Sequence, residues 1–148
     1  MLELSLNEVY TKFKLNFYRQ VFNRFQSNDE GLTATETFCM EAIYALNNPT
    51  INQFANFMRI SQPNAAYKVN KLIRKGYLKK INSLEDKREY FLEVTEKFNE
   101  YYAINYNYIK LVSERIEKRF EPKDVEQIEK ILRIMSEEMM PEMPNIRT

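Results

Sequence analysis

Three features of the sequence predict a mainly α-helical chain with one small β-hairpin. Helical apolar periodicities run through most of the 148 residues. Start signals of the form Ser/Thr-x-x-Glu/Gln precede three of these periodicities. The spacing of apolar residues shortens toward every second residue only between Tyr77 and Val94. Because 44% of the residues are hydrophobic and 14% are aromatic, the chain can bury a core, and we expect a single folded domain.

Four helices are predicted in the first half of the chain. They cover about residues 5–26, 34–47, 50–58 and 61–75. The first three begin with the capping boxes Ser5–Glu8, Thr33–Glu36 and Thr50–Gln53. A break at residues 28–31 and a second at Pro49 separate them, and Gly76 ends the fourth helix.

A hairpin and two further helices are predicted in the second half. Two short alternating runs, Tyr77–Ile81 and Tyr90–Val94, flank a charged segment and are typical of a β-hairpin with a polar tip. Beyond Thr95 the apolar spacing predicts a helix of about 25 residues, which Pro122 ends. A last helix follows, and the tail after Met140 is not expected to continue it.

The order of these elements is that of a winged helix-turn-helix, a unit whose last helix fits the major groove of DNA. If Ala65, Val69 and Leu72 point into the core, helical geometry turns a polar and cationic face outward. That face carries Asn64, Tyr67, Asn70, Lys71 and Arg74. Asparagine can pair with adenine, and lysine and arginine attract phosphate or bind guanine. The alternative is that these residues only solvate the helix.

The charge of the chain is concentrated in the middle of the sequence. The net charge is only +1, but Arg59 to Tyr90 contains nine basic and three acidic residues. Glu114 to Glu142 contains nine acidic and six basic residues. This asymmetry suggests that the middle segment meets an anionic partner, although the charge by itself is explained better by a solvated basic face.

Composition argues against several classes of function. Cys39 is the one cysteine and there is no histidine, so neither a usual zinc site nor a histidine-based catalytic triad is expected. Two glycines cannot build a Gly-rich phosphate loop. We therefore expect no catalytic site, no metal and no cofactor, and the protein is not expected to be an enzyme. No membrane span or signal peptide is recognisable, which favours the cytoplasm and no membrane partner.

The wing segment 86–95, DKREYFLEVT, resembles the D-x-R-x-x-x-L-x-x-T pattern of the MarR family of bacterial transcription regulators. Other positions match that family's helix starts, core and helix-to-wing turn: Leu32-Thr33 with Glu36, Phe54-Ala55, Ser61-Gln62, Leu72 and Lys75-Gly76-Tyr77. The resemblance implies a homodimer that binds a palindromic double-stranded DNA operator, usually as a repressor released by a small-molecule effector. A winged-helix module that binds only another protein is the alternative.

The resemblance also implies roles for individual residues. Arg88 matches the wing arginine that enters the minor groove, and Asp86 matches the acidic residue that holds this arginine. The predicted DNA-binding residues are Gln62, Asn64, Tyr67, Asn70, Lys71, Asp86, Lys87 and Arg88. We expect residues 31–95 to form the DNA-binding unit, and residues 1–30 and 96–140 to supply the dimerisation helices, whose surplus of apolar side chains also favours a second subunit.

Overall fold

The computed structural model describes residues 1–25 and 31–146. Within them, the helices are α1 (Leu2–Phe25), α2 (Ala34–Leu46), α3 (Ile51–Met58), α4 (Gln62–Arg74), α5 (Asn99–Arg119) and α6 (Pro122–Glu138), and the strands are β1 (Leu78–Asn82) and β2 (Tyr90–Val94). The predicted mainly α-helical class with a β-hairpin is confirmed. Residue 26, the predicted end of the first helix, and residues 28–30 of the predicted break lie outside the described residues. None of the described helices combines the length and apolar character needed to cross a membrane.

Two of the predicted capping boxes are confirmed. The hydroxyl of Thr33 accepts from the backbone N–H of Glu36 at 3.1 Å, and the Glu36 carboxylate accepts from the backbone N–H of Thr33 at 3.1 Å. Thr50 and Gln53 exchange the same pair of bonds at 3.1 and 2.9 Å. Each box satisfies two N–H groups that the first turn of a helix leaves unpaired, which fixes where α2 and α3 begin.

The capping box predicted at Ser5 is wrong. α1 already begins at Leu2, and the Ser5 hydroxyl donates to the carbonyl oxygen of Met1 at 3.2 Å. Residues 2–4, Leu-Glu-Leu, are good helix formers and contain no breaker. Ser5 therefore lies inside the helix, where its hydroxyl bonds back to the preceding turn.

The chain divides into two compact units. The first contains Met1–Gln26 and Ala103–Asn145, and the second contains Ser27–Tyr102 and Ile146–Thr148. α1, α6 and most of α5 therefore belong to the first unit. The second unit contains α2, α3, α4 and the β-hairpin.

The core of the second unit is built from the inward faces of its helices and the hairpin. Ala65, Val69 and Leu72 are all at most 1% exposed, so the predicted orientation of α4 is confirmed. The largest other side chains in this core are Met40, Ile43, Phe54, Leu92, Phe98 and Tyr101. Cys39 is also buried, and this burial raises the pKa of its thiol.

The two strands of the hairpin pair with each other, and β2 is also bonded to the segment just before α3. β1 and β2 pair antiparallel, with Leu78 opposite Val94 at one end and Asn82 opposite Tyr90 at the other. The backbone N–H of Leu92 donates to the carbonyl of Pro49 at 2.8 Å, just before α3 begins. The wing is therefore continuous with the core of the second unit at its base.

The first unit exposes much of its apolar surface. Phe17 is buried, but α6 has no buried residue at all. Large apolar side chains that are at least 49% exposed include Leu2, Leu6, Val9, Leu15, Phe22, Ile131, Leu132 and Met139. Exposed apolar side chains that form one patch mark an interaction surface more often than a solvated one.

Two glutamates of α2 have pKa values that shift in opposite directions. Burial raises the pKa of Glu36, but hydrogen bonds from the Lys75 ammonium and from Thr33 outweigh this effect and lower it. Burial alone raises the pKa of Glu41. Glu36 is therefore a stabilising anion, whereas ionised Glu41 destabilises the folded state.

The two glutamine variants are expected to show opposite effects on the free energy of unfolding. Glu36 stabilises above its unfolded pKa, and this contribution is lost as the pH falls through its lower folded pKa. Glu36→Gln should therefore destabilise the protein at pH 7, by about 1–3 kcal/mol, and by less at pH 3. The cost of ionised Glu41 is present above its raised folded pKa and disappears at acid pH, so Glu41→Gln should stabilise at pH 7 only. Urea unfolding at both pH values measures the free energy of unfolding of each variant. If both substitutions change this free energy in the same direction at pH 7, the interpretation is contradicted.

Candidate nucleic-acid interface

α4 presents a polar face that begins at its first residue. The helix is capped by the Ser61 hydroxyl, which accepts from the backbone N–H of Asn64 at 3.3 Å, and Pro63 lies in the first turn. Of the residues predicted on this helix, Gln62, Asn64, Tyr67 and Asn70 are exposed and Lys71 is half-buried. Tyr67 is 64% exposed, which is unusual for an aromatic ring in a helix whose opposite side is well packed.

The tip of the wing, residues 83–89, is an ordered turn. The backbone N–H of Ser83 donates to the carbonyl of Glu89 at 3.0 Å and closes the turn. The buried hydroxyl of Ser83 lies 3.3 and 3.4 Å from the backbone N–H groups of Glu85 and Asp86, from which it accepts. The backbone N–H of Glu89 donates to the carbonyl of Asp86 at 3.0 Å. The turn is therefore held by its own backbone and one serine.

Asp86 contacts Arg88 within this tip. Its Oδ1 accepts from the Arg88 backbone N–H at 2.9 Å and from the Arg88 Nε at 3.4 Å. The Arg88 side chain is 92% exposed, so the ion pair contributes only about 0–1 kcal/mol to stability. Its effect is to orient Arg88 while leaving the guanidinium free to meet another anion. Lys87 between them is also exposed.

α4 and the wing are joined at a short turn, Lys75–Tyr77, which we call the helix–wing junction. Gly76 has a φ of +84°, a conformation that favours glycine and lets the chain leave the helix sharply. The Thr95 hydroxyl donates to the Gly76 carbonyl at 2.6 Å, and the Lys97 ammonium donates to the Lys75 carbonyl at 2.7 Å. Two side chains that follow β2 thus bind the two carbonyls directly after α4, and the end of the wing is fixed to the end of the helix.

The same junction is tied to the start of α2. The Lys75 ammonium donates to Glu36 Oε1 at 2.8 Å and to the Gly31 carbonyl at 3.1 Å. Both side chains of this ion pair are largely buried. The resemblance placed Lys75 in the turn but did not reveal this bond, because nothing local in the sequence links positions 39 residues apart.

β1 adds two exposed cations that the sequence did not single out as site residues. The Lys79 ammonium lies 3.1 Å from a Glu93 carboxylate oxygen, and the Lys80 ammonium lies 5.4 Å from the centre of the Tyr90 ring. Lys79 is therefore partly neutralised. Lys80 stays available to an anion beside the wing.

One family model matches the middle of the chain. The model described as "MarR family" matches residues 32–90, from just before α2 to the first residue of β2. This segment is therefore similar to the MarR family. The similarity agrees with the expectation from the sequence that the protein is not an enzyme.

Individual proteins similar to this chain were found by sequence and by structure. YkoM, an HTH-type transcriptional regulator of Bacillus subtilis (strain 168), is 29% identical over 110 residues, which cover 68% of this chain and 71% of YkoM. The transcriptional regulator Tm0710 from Thermotoga maritima has a TM-score of 0.68 at 20% identity and covers 93% of this chain and 96% of its own. FabT of Streptococcus pneumoniae, solved in complex with DNA, has a TM-score of 0.61 at 16% identity and covers 94% of this chain and 97% of its own. These structural likenesses show the fold.

Thr95→Val should weaken the helix–wing junction without changing the shape of the side chain. The variant leaves the Gly76 carbonyl without its donor, which should lower the free energy of unfolding by about 0.5–1.5 kcal/mol. Thr95→Ser keeps the hydroxyl and is the matched control. Urea unfolding of the three proteins checks this. Equal stabilities of the valine variant and the parent would show that the bond contributes nothing.

Proposed function

We propose that this protein is a MarR-family regulator of transcription that binds specific double-stranded DNA sequences through α4 and the wing. The observation that carries the proposal is the exposed polar start of α4, with Gln62, Asn64, Tyr67 and Asn70 facing away from a fully buried apolar side. An α-helix is about 10–12 Å across and fits the major groove, which is about 12 Å wide. Amides at its N-terminal end can bind base edges there.

The wing complements this helix with charge. Arg88 is almost fully exposed and is oriented by Asp86, which suits an arginine that enters a narrow A·T-rich minor groove. Lys87 and the half-buried Lys71 supply phosphate contacts that set the position of the protein on the duplex. FabT, a protein of the same fold, was solved in complex with DNA, which supports DNA as the partner.

The same proposal includes a homodimer. Extensive apolar side chains of α1 and α6 are exposed in the single chain, and a second copy would cover them. A two-fold dimer would present two copies of α4 to half-sites about one helical turn, roughly 34–36 Å, apart. The operator would then be palindromic.

We further propose that the protein represses transcription and is released by a small organic anion. The first unit has a cavity of about 450 Å³ lined by Lys12, Leu15, Asn16, Arg19 and Tyr108. The Arg19 guanidinium beside an aromatic ring and a leucine suits a ligand with an apolar body and a carboxylate or phenolate group, whereas the Lys12 ammonium is already paired with Glu8 at 2.6 Å. An operator-bound protein excludes polymerase, so loss of binding on ligand addition would turn the gene on. A DNA target is also consistent with a cytoplasmic protein.

Variants of the wing and of α4 should weaken DNA binding in different ways. Arg88→Ala should weaken binding and lower the slope of log K against log salt by about 1, because it removes a cation from the phosphate field. Asp86→Ala should give a milder loss, because Asp86 only orients Arg88. Asn70→Ala should change the preferred bases, since a bidentate contact discriminates by about 1–3 kcal/mol. Titration of fluorescent duplex DNA at several salt concentrations measures all three.

Glu126→Gln on α6 is the matched control for these titrations, because it alters one exposed residue outside the second unit. It should bind DNA with the salt slope of the parent protein. Parent-like binding by both Arg88→Ala and Asn70→Ala, with the fold intact, would contradict the proposed interface.

The homodimer is tested by measuring the molar mass of the protein in solution. Light scattering of the full chain at micromolar concentration should give about twice its mass of 17.9 kDa. Leu132→Asp, which places a carboxylate on the exposed apolar face of α6, should shift the mass toward that of one chain. Gln127→Asp adds the same carboxylate at an exposed polar position of α6 and should leave the dimer intact. A full chain with the mass of one copy would exclude the dimer and the palindrome together.

A further inference from the structure

Leu84 is held fully exposed at the tip of the wing. Its relative exposure is 102%, the highest among the large hydrophobic residues of the described chain. The other residues of the tip are Ser83, Glu85, Asp86, Lys87, Arg88 and Glu89, all polar or charged. A single exposed leucine is ordinary on a protein surface, so its exposure alone does not mark a site.

The backbone on both sides of Leu84 is held by hydrogen bonds. The preceding residue, Ser83, is buried, and its hydroxyl accepts from the backbone N–H groups of Glu85 and Asp86, the two residues that follow Leu84. The bond from Ser83 N–H to the Glu89 carbonyl closes the whole turn. The turn therefore sets the direction in which the Leu84 side chain leaves the backbone.

The charge of the tip gives a reason for an apolar side chain at this place. Three carboxylates and two cations lie between residues 83 and 89, so the tip has no net positive charge to attract phosphates. One of the cations, Arg88, is already partly neutralised by Asp86. A tip of this composition needs a favourable contact other than phosphate attraction if it is to stay in a groove.

The minor groove offers such a contact. It is about 6 Å wide, its walls are the C–H faces of the sugars, and leucine is among the side chains that proteins insert between base steps. Leu84 lies at the same closed turn as Arg88, so both reach out from one end of the wing. No other large apolar side chain is present between residues 83 and 89.

We propose that Leu84 is an apolar minor-groove contact that works beside Arg88 and favours flexible pyrimidine–purine steps at the flank of each half-site. Such steps unstack at the lowest cost, so an inserted leucine adds affinity there and little at stiff A-tracts. The inference rests on the proposed DNA-binding function. It adds a residue whose contribution is not electrostatic.

Salt dependence separates this contribution from that of the cations. Leu84→Ser should raise the dissociation constant for operator DNA by about tenfold, because it loses most of the apolar surface of one leucine. It should leave the slope of log K against log salt unchanged, whereas Arg88→Ala lowers that slope by about 1. Leu84→Ile keeps the apolar surface and should bind within about twofold of the parent. Glu85→Gln removes a neighbouring carboxylate and should tighten binding without altering the preference for flexible flanking steps.

The experiment is a titration of parent and variants against one selected operator and against versions in which the flanking TA or CA step is replaced by AA. Leu84→Ser should lose the difference between the two flanks, and its urea midpoint should match that of the parent. If Leu84→Ser binds like the parent while Arg88→Ala is weakened, Leu84 makes no DNA contact and only the proposed function stands. If the parent protein binds no DNA, both the proposed function and the inference about Leu84 fail. If Leu84→Ser instead changes the mass measured by light scattering, another protein chain covers Leu84 and the inference is overturned.

Discussion

The hydrogen bonds of the helix–wing junction are the constraint on which the proposed interface depends. The carbonyls of Lys75 and Gly76 each bind a side chain from the segment after β2, and the Lys75 ammonium binds Glu36 at the start of α2. A protein that addresses a major groove and the adjacent minor groove must hold its two contact elements at a fixed separation. Here side chains from two parts of the second unit, the segment after β2 and the start of α2, meet at one turn of backbone.

The two parts of the proposed interface differ in their chemistry. α4 offers amides and a tyrosine at its exposed start, which suit base edges, while the wing offers Arg88 and an apolar tip, which suit the shape of the minor groove. With a net charge of only +1, the chain as a whole has little general attraction for phosphates. We therefore expect binding to depend more on matched contacts at the right sequence than on charge alone.

The sequence predicted those features that neighbouring residues determine. The capping boxes at Thr33 and Thr50 and the inward face of α4 followed from spacings of three or four residues, and each was confirmed. The box at Ser5 was wrong because the same four-residue pattern also occurs inside a continuous helix. The ion pair of Lys75 with Glu36 could not be predicted, because it depends on how distant elements pack. The exposure of Leu84 likewise depends on a turn whose hydrogen bonds no motif specifies, and the DNA contacts of α4 and the wing stay predictions.

Selection of bound duplexes from a random-sequence DNA pool by the full chain tests the central claim most directly, since it measures binding and sequence preference together. We expect enrichment of paired, inverted half-sites whose centres lie about one helical turn, roughly 34–36 Å, apart. Their flanks should be A·T-rich and contain flexible TA steps where the wings meet the minor groove. A pool that stays random after repeated rounds, with a protein that remains folded throughout, would contradict the claim that α4 and the wing read DNA.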